Sequence, residues 1–169
     1  MKKTVNDRGT APSQHYAPGA TKSNYYTSIA EQPRHGPPLQ MNKIILVIED
    51  QPEIRKLIRM TMDYDGFEVH EADNGDSGLK MIKALLPSVV LLDVMMPGLL
   101  DGLQVCEGVR ADPKVAKTPI VMLTARGQQS DIEAGRRAGC NDYLTKPFSP
   151  LQLIETVERL VAAASGPAR

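Results

Sequence analysis

Glu49 and Asp50 follow the apolar run Ile44-Ile45-Leu46-Val47-Ile48, and Asp93 follows Val89-Val90-Leu91-Leu92. Thr124 closes Ile120-Val121-Met122-Leu123, and Lys146 closes the shorter Tyr143-Leu144-Thr145. If these runs are neighbouring parallel strands, their polar ends gather at one edge of a sheet. Three carboxylates sharing a pocket repel one another. At about 4 Å and an effective dielectric of roughly 20, each pair costs on the order of 4 kcal/mol. A divalent cation relieves that repulsion, and an oxygen-rich carboxylate site suits Mg²⁺. The constellation reads as a metal-assisted phosphoryl site.

Each group alone has a plainer reading. Glu49-Asp50 would suit the positive end of a following helix. Asp93 ahead of Met95-Met96-Pro97-Gly98 would suit an ordinary strand-to-helix turn, and Lys146 would be a surface lysine. Placement of each at the end of a different strand, on the same side, is what makes the phosphoryl reading the stronger one.

The elements that must position these residues begin at Lys43. From there apolar runs of four to six residues alternate with helical stretches, the βαβα rhythm of a parallel α/β sheet. The first helix opens at Pro52, a favoured first helical position, with Ile54, Leu57, Ile58 and Met62 on its apolar stripe. A second uses Leu79, Ile82, Leu85 and Leu86 before Pro87 stops it, and a third starts near Asp101 with Leu103, Cys106 and Val109 inward. The fourth has the weakest pattern: Ile132 and Ala138 are apolar, while Gln128, Gln129, Asp131, Arg136 and Arg137 face water. The fifth carries Leu153, Ile154, Val157, Leu160 and Val161 and ends near Ala164.

Runs 44–48, 89–92 and 120–123 are continuously apolar, as befits strands buried on both faces. Phe67-Glu68-Val69-His70 and Asp142-Tyr143-Leu144-Thr145 alternate, which suits edges. Strands one, three and four are therefore central. The expected fold is a flavodoxin-like (βα)5 doubly wound parallel sheet of order 2-1-3-4-5, whose ligand crevice lies between the ends of strands one and three.

Lysine plus arginine equal aspartate plus glutamate at 20 each over 169 residues. Residues 1–42 carry a net +3 and the remainder −3, neither suggesting nucleic-acid binding through charge. Cys106 and Cys140 are too few and too far apart for a zinc cluster or a Cys-x-x-Cys pair, and read as reduced thiols of a cytoplasmic protein. No apolar stretch approaches the roughly 20 residues of a membrane span. Residues 1–41 are rich in Pro and small polar side chains and are expected to form a disordered tail, ahead of a domain over 42–165 and a C-terminal tail of 166–169. No output domain is expected after the fifth helix.

Ile-Leu-Val-Ile-Glu-Asp (45–50), Leu-Leu-Asp-Val-Met-Met-Pro-Gly (91–98), Pro-Ile-Val-Met-Leu-Thr-Ala (119–125) and Asp-Tyr-Leu-Thr-Lys-Pro-Phe (142–148) resemble the receiver domain of two-component response regulators, here of the stand-alone, single-domain type. The resemblance implies that Asp93 is a phosphoacceptor, taking a phosphoryl group from a histidine kinase or a histidine phosphotransfer protein. It implies that Glu49, Asp50, Asp93 and the backbone carbonyl of Met95 hold Mg²⁺. Thr124, the backbone amide of Ala125 and Lys146 would bind the phosphoryl oxygens, and Lys146-Pro147 would be a cis peptide. Thr124 and Tyr143 would form a switch that reshapes the face of helix four, strand five and helix five, where a downstream effector protein, or a second copy, would bind. Such a protein is no enzyme beyond its own phosphorylation and dephosphorylation, and contacts neither DNA nor membrane directly. Met95 and Arg126 stand at positions flanking the phosphoryl group, where the resemblance implies slow self-dephosphorylation. The alternative is a pseudo-receiver, a binding module that takes up no phosphate; the complete set Glu49, Asp50, Asp93, Thr124 and Lys146 argues against it. One departure stands out. Leu99-Leu100 separate Gly98 from Asp101 where the family usually has a single residue.

Overall fold

Five parallel strands and five helices alternate along the chain in a computed structural model that describes residues 43–125, 129–164 and 166, without the side chains of Gln129 and Asp131. The expected N-terminal tail, Arg126 and Gln128 lie outside the described residues. The strands are β1 (Ile44–Ile48), β2 (Glu68–Ala72), β3 (Val89–Asp93), β4 (Ile120–Thr124) and β5 (Asp142–Thr145). The helices are α1 (Pro52–Tyr64), α2 (Gly75–Leu85), α3 (Gly102–Arg110), α4 (Gln129–Ala138) and α5 (Pro150–Ala164). The sheet order is β2-β1-β3-β4-β5, as the apolar patterning anticipates.

The alternation of side chains along each strand divides the core in two. Ile45 and Val47 of β1, Val89 and Leu91 of β3, and Val121 and Leu123 of β4 meet Ile58 and Met62 of α1 and Leu153 and Val157 of α5. Leu46, Ile48, Val90, Leu92, Ile120 and Met122 face the other way, onto Ile82, Val105, Cys106, Val109 and Ala138 of α2, α3 and α4. Both faces of the three central strands are thus covered, which is why their sequences are apolar without a break.

Helix starts follow local chemistry. Pro52 opens α1, Asn74 accepts the Ser77 amide at the start of α2, and Asp101 with Gln104 forms a reciprocal capping box on α3. Three details differ from the sequence reading. Leu57 is 42 % exposed, because the α1 stripe is narrower than its four apolar positions suggest and Ile58 and Met62 fill it. Leu86 is not on the α2 stripe; it caps the helix with a left-handed backbone (φ 49°) and lies exposed. Phe67 precedes β2 rather than opening it, buried against the α1–α5 face of the sheet.

Register decides what meets at the carboxyl edge. Ile48 pairs with Ala72 on one side and Leu92 on the other, Asp93 with Leu123, and Thr124 with Thr145. The residues that end or directly follow β1, β3, β4 and β5 therefore emerge side by side.

Candidate functional site

Glu49 continues the β1 ladder by one bond, its amide donating to the Ala72 carbonyl at 3.1 Å. The amide of Lys146 donates to the Thr124 carbonyl at 2.8 Å, so the ends of β4 and β5 stay in step. Glu49, Asp93 and Thr124 are the three buried polar residues of the domain among those described. Oxygens of Glu49, Asp50 and Asp93 lie within 4.8 Å of one another. Lys146 enters from the far side: its Nζ stands 2.6 Å from Glu49 Oε2 and 3.1 Å from Asp93 Oδ2, with its side chain 11 % exposed. The Glu49 contact has the distance of an ion pair without the angles of a hydrogen bond, so that oxygen is charge-paired only. The Lys146–Pro147 peptide is cis.

Backbone amides take part of the remaining capacity. Gln51 N–H donates to Glu49 Oε1 at 3.3 Å and Met95 N–H to Asp93 Oδ1 at 3.2 Å. Asp50 Oδ1 is buried with no hydrogen-bond partner. One ammonium among three carboxylates leaves negative charge uncompensated. Burial pushes the Glu49 carboxyl up to about 7, against the pairing with Lys146 and with a further push from Asp93. An orphaned buried carboxylate oxygen beside two others is a donor set that fits a hard divalent cation.

Two residues that the strand-end pattern does not reveal hold this arrangement. Arg55, one turn into α1, donates through one guanidinium nitrogen to the carbonyls of Glu49 (2.7 Å) and Asp50 (3.0 Å), and pairs with Glu71 at 3.4 Å. It fixes the backbone of the acidic loop through those two carbonyls. Its signal in sequence is a lone arginine five and six residues past the acidic pair, legible only once α1 is known to start at Pro52. Gly102 is the second: a Cβ there would stand 2.1 Å from the Asp93 carbonyl oxygen, so α3 begins directly against the backbone that carries Asp93.

That close approach explains how the longer β3–α3 connection fits. Gly102 N–H bonds the Val94 carbonyl at 3.1 Å. Leu100 packs on Gly75 at the start of α2, its carbonyl oxygen 2.4 Å from where a Cβ would be. The surplus residue shows at Leu99, which is 85 % exposed.

Of the remaining residues singled out from sequence, Thr124 and Ala125 lie at the end of β4 beside Lys146, and Met95 turns its side chain to solvent. Tyr143 is half-buried on β5, and its hydroxyl donates to the Ile132 carbonyl of α4 at 2.6 Å rather than joining the carboxylates. An open, mostly apolar groove of about 340 Å³ runs beside the cleft between Gln51, Ile54 and Leu57 on one side and Lys146, Pro147 and Phe148 on the other.

Fold order and carboxylate cluster together describe a signalling receiver, and the comparison with known families agrees. The response regulator receiver domain family matches residues 45–158, and the chain belongs to it. Transcriptional regulatory protein ResD of Bacillus subtilis is 40 % identical over 121 residues, covering 72 % of this chain and 49 % of ResD. The chain thus spans about half the length of that curated relative, and the transcriptional role in its name is said of the whole relative. A putative response regulator from Chloroflexus aurantiacus superposes with a TM-score of 0.68 at 37 % identity, over 71 % of this chain and 98 % of that one. The receiver domain of a Pseudomonas aeruginosa sensor histidine kinase, crystallised with a magnesium ion in its active-site cleft, gives 0.67 at 30 % identity, over 71 % and 98 %. Among the described residues no helix is long and apolar enough to cross a membrane.

Proposed function

We propose that the domain accepts a phosphoryl group on Asp93 from the phosphohistidine of a histidine kinase or histidine phosphotransfer protein. The reading rests on one observation above the others: three carboxylates converge within 4.8 Å, one keeps a buried oxygen without a partner, and a single lysine bridges the other two. Glu49, Asp50, Asp93 and the Met95 carbonyl would hold Mg²⁺, which when bound neutralises charge on the cleft and on the entering phosphoryl group.

The chain's own residues do the rest. Asp93 presents a carboxylate oxygen to phosphorus; the new O–P bond forms as the P–N bond breaks, and the electron pair leaves with the donor imidazole. Met95 N–H and Lys146 orient the carboxylate from its two oxygens. As Asp93 spends its charge in the new bond, Lys146 turns to a phosphoryl oxygen, and the Thr124 hydroxyl with the Ala125 amide donates to others. Phosphorylation adds almost two negative charges, and movement of Thr124 and Tyr143 passes the resulting change of shape to the face of α4, β5 and α5, where an effector protein docks. The domain spans 42–165 in this reading, acts in the cytoplasm, and catalyses nothing beyond its own phosphorylation and dephosphorylation.

Incubation with acetyl phosphate and Mg²⁺, read by intact mass, tests the proposal. A gain of one phosphoryl group in the parent and none in Asp93→Asn is expected. No gain in either protein would leave the domain a pseudo-receiver.

A further inference from the structure

α4 is attached to the domain largely through its carbonyls. Among its described side chains the two buried positions are Gly135 and Ala138, so the helix drives no large apolar group into the core. Neighbouring elements reach for it instead. Cys106 Sγ donates to the Ala138 carbonyl at 3.2 Å, Arg110 Nε to the Gly139 carbonyl just past the helix at 2.8 Å, and Tyr143 Oη to the Ile132 carbonyl at 2.6 Å.

The tyrosine contact depends on a glycine. A Cβ at Gly135 would stand 2.4 Å from Tyr143 Oη, 3.0 Å from Cε1 and 3.1 Å from Cζ, so the ring lies where a side chain would be. Glycine inside a helix is unfavourable relative to alanine, and here the penalty coincides with the one point where a ring needs the space. The seat also lies near the cleft along the strands. Tyr143 pairs in register with Met122, two residues before Thr124, and Lys146 follows Tyr143 by three.

We infer that Gly135 is a positioning residue of the switch. It seats the Tyr143 ring against α4, and through the hydroxyl bond to Ile132 it holds α4 and β5 in the unphosphorylated arrangement, so that releasing the ring favours the phosphorylated one. This rests on the phosphoacceptor reading of Asp93. An alanine at 135 pushes on the far end of the Tyr143 side chain, not on backbone, and improves the helix itself. Gly135→Ala therefore releases the ring without unfolding the domain. Tyr143→Phe removes the hydroxyl bond and leaves the seat intact.

The test is titration of the full chain, Gly135→Ala, Tyr143→Phe and Asp93→Asn with beryllofluoride, a phosphoryl mimic, in Mg²⁺, read by amide hydrogen exchange. Both switch variants should bind about three- to tenfold more tightly than the parent, the coupling that one hydrogen bond supplies. Their α4 amides should exchange faster before any ligand is added. Equal or weaker binding in both variants overturns the inference and leaves Asp93 a phosphoacceptor. Binding in none of the proteins overturns the phosphoacceptor reading, and the role of the seat with it.

Discussion

Glu49→Gln removes one negative charge from the cleft and keeps nearly the same shape, with a side-chain oxygen still placed to accept from the Gln51 amide. In the metal-free protein, burial raises the Glu49 pKa from 4.5 to about 7. At about 1.4 kcal/mol per pH unit, ionised Glu49 then costs the fold about 3 kcal/mol. The sign follows from counting protons. Below pH 4.5 the carboxyl is protonated in folded and unfolded chains alike, and no penalty exists. As pH rises to about 7 the unfolded chain releases its proton first, so stability falls; above that value the whole penalty is present. The variant has no such proton to release. Urea denaturation in EDTA should show it gaining on the parent by up to about 3 kcal/mol between pH 5 and pH 8. Saturating Mg²⁺ should flatten the parent's decline, because a cation bound only to the folded state offsets the cost of the buried charge. A difference between the two proteins that is identical at both pH values would refute a buried, incompletely compensated Glu49 charge as the reason this cleft wants a cation.

Three further outcomes can be checked directly. Arg110 donates to the carbonyls of Gly139, Ala116 and Thr118 and to Asn141 Oδ1, tying the α3–β4 and α4–β5 connections together. Arg110→Met should cost about 3 kcal/mol in urea denaturation, since several acceptors lose a charged donor at once. Leu86→Gly should raise stability by about 1 kcal/mol, because the left-handed backbone at this helix end penalises a side chain and Leu86 buries little in return. Burial raises the Cys106 thiol to about 11 and also pushes Cys140 up, so a thiol reagent at pH 8 should leave Cys106 unmodified in the native protein and label both cysteines in urea, counted by intact mass.

Much of this architecture is legible along the chain because burial on both faces leaves a plain mark. Ile44–Ile48, Val89–Leu92 and Ile120–Leu123 read as central strands, and their polar ends as one cleft, without any coordinates. Where a residue's neighbours come from distant stretches, that mark disappears. Arg110 looks like the last polar residue of an ordinary amphipathic helix, yet its partners lie 6 to 31 positions away. Leu57 and Leu86 are apolar but exposed, because a helix stripe specifies which residues are able to face inward, not how wide the contact becomes. α4 reads weakly for a physical reason: among its described side chains the buried positions are a glycine and an alanine, and donors that belong to other elements hold the helix.

The connection between β3 and α3 is clamped at Gly102 on the Asp93 backbone and at Leu100 on Gly75, so its additional length emerges only at Leu99. If Asp93 is the phosphoacceptor, substitutions at that outward tip would remodel what a visiting protein touches while the carboxylates a few residues away keep their places. In that reading recognition and chemistry are adjacent, yet free to diverge separately.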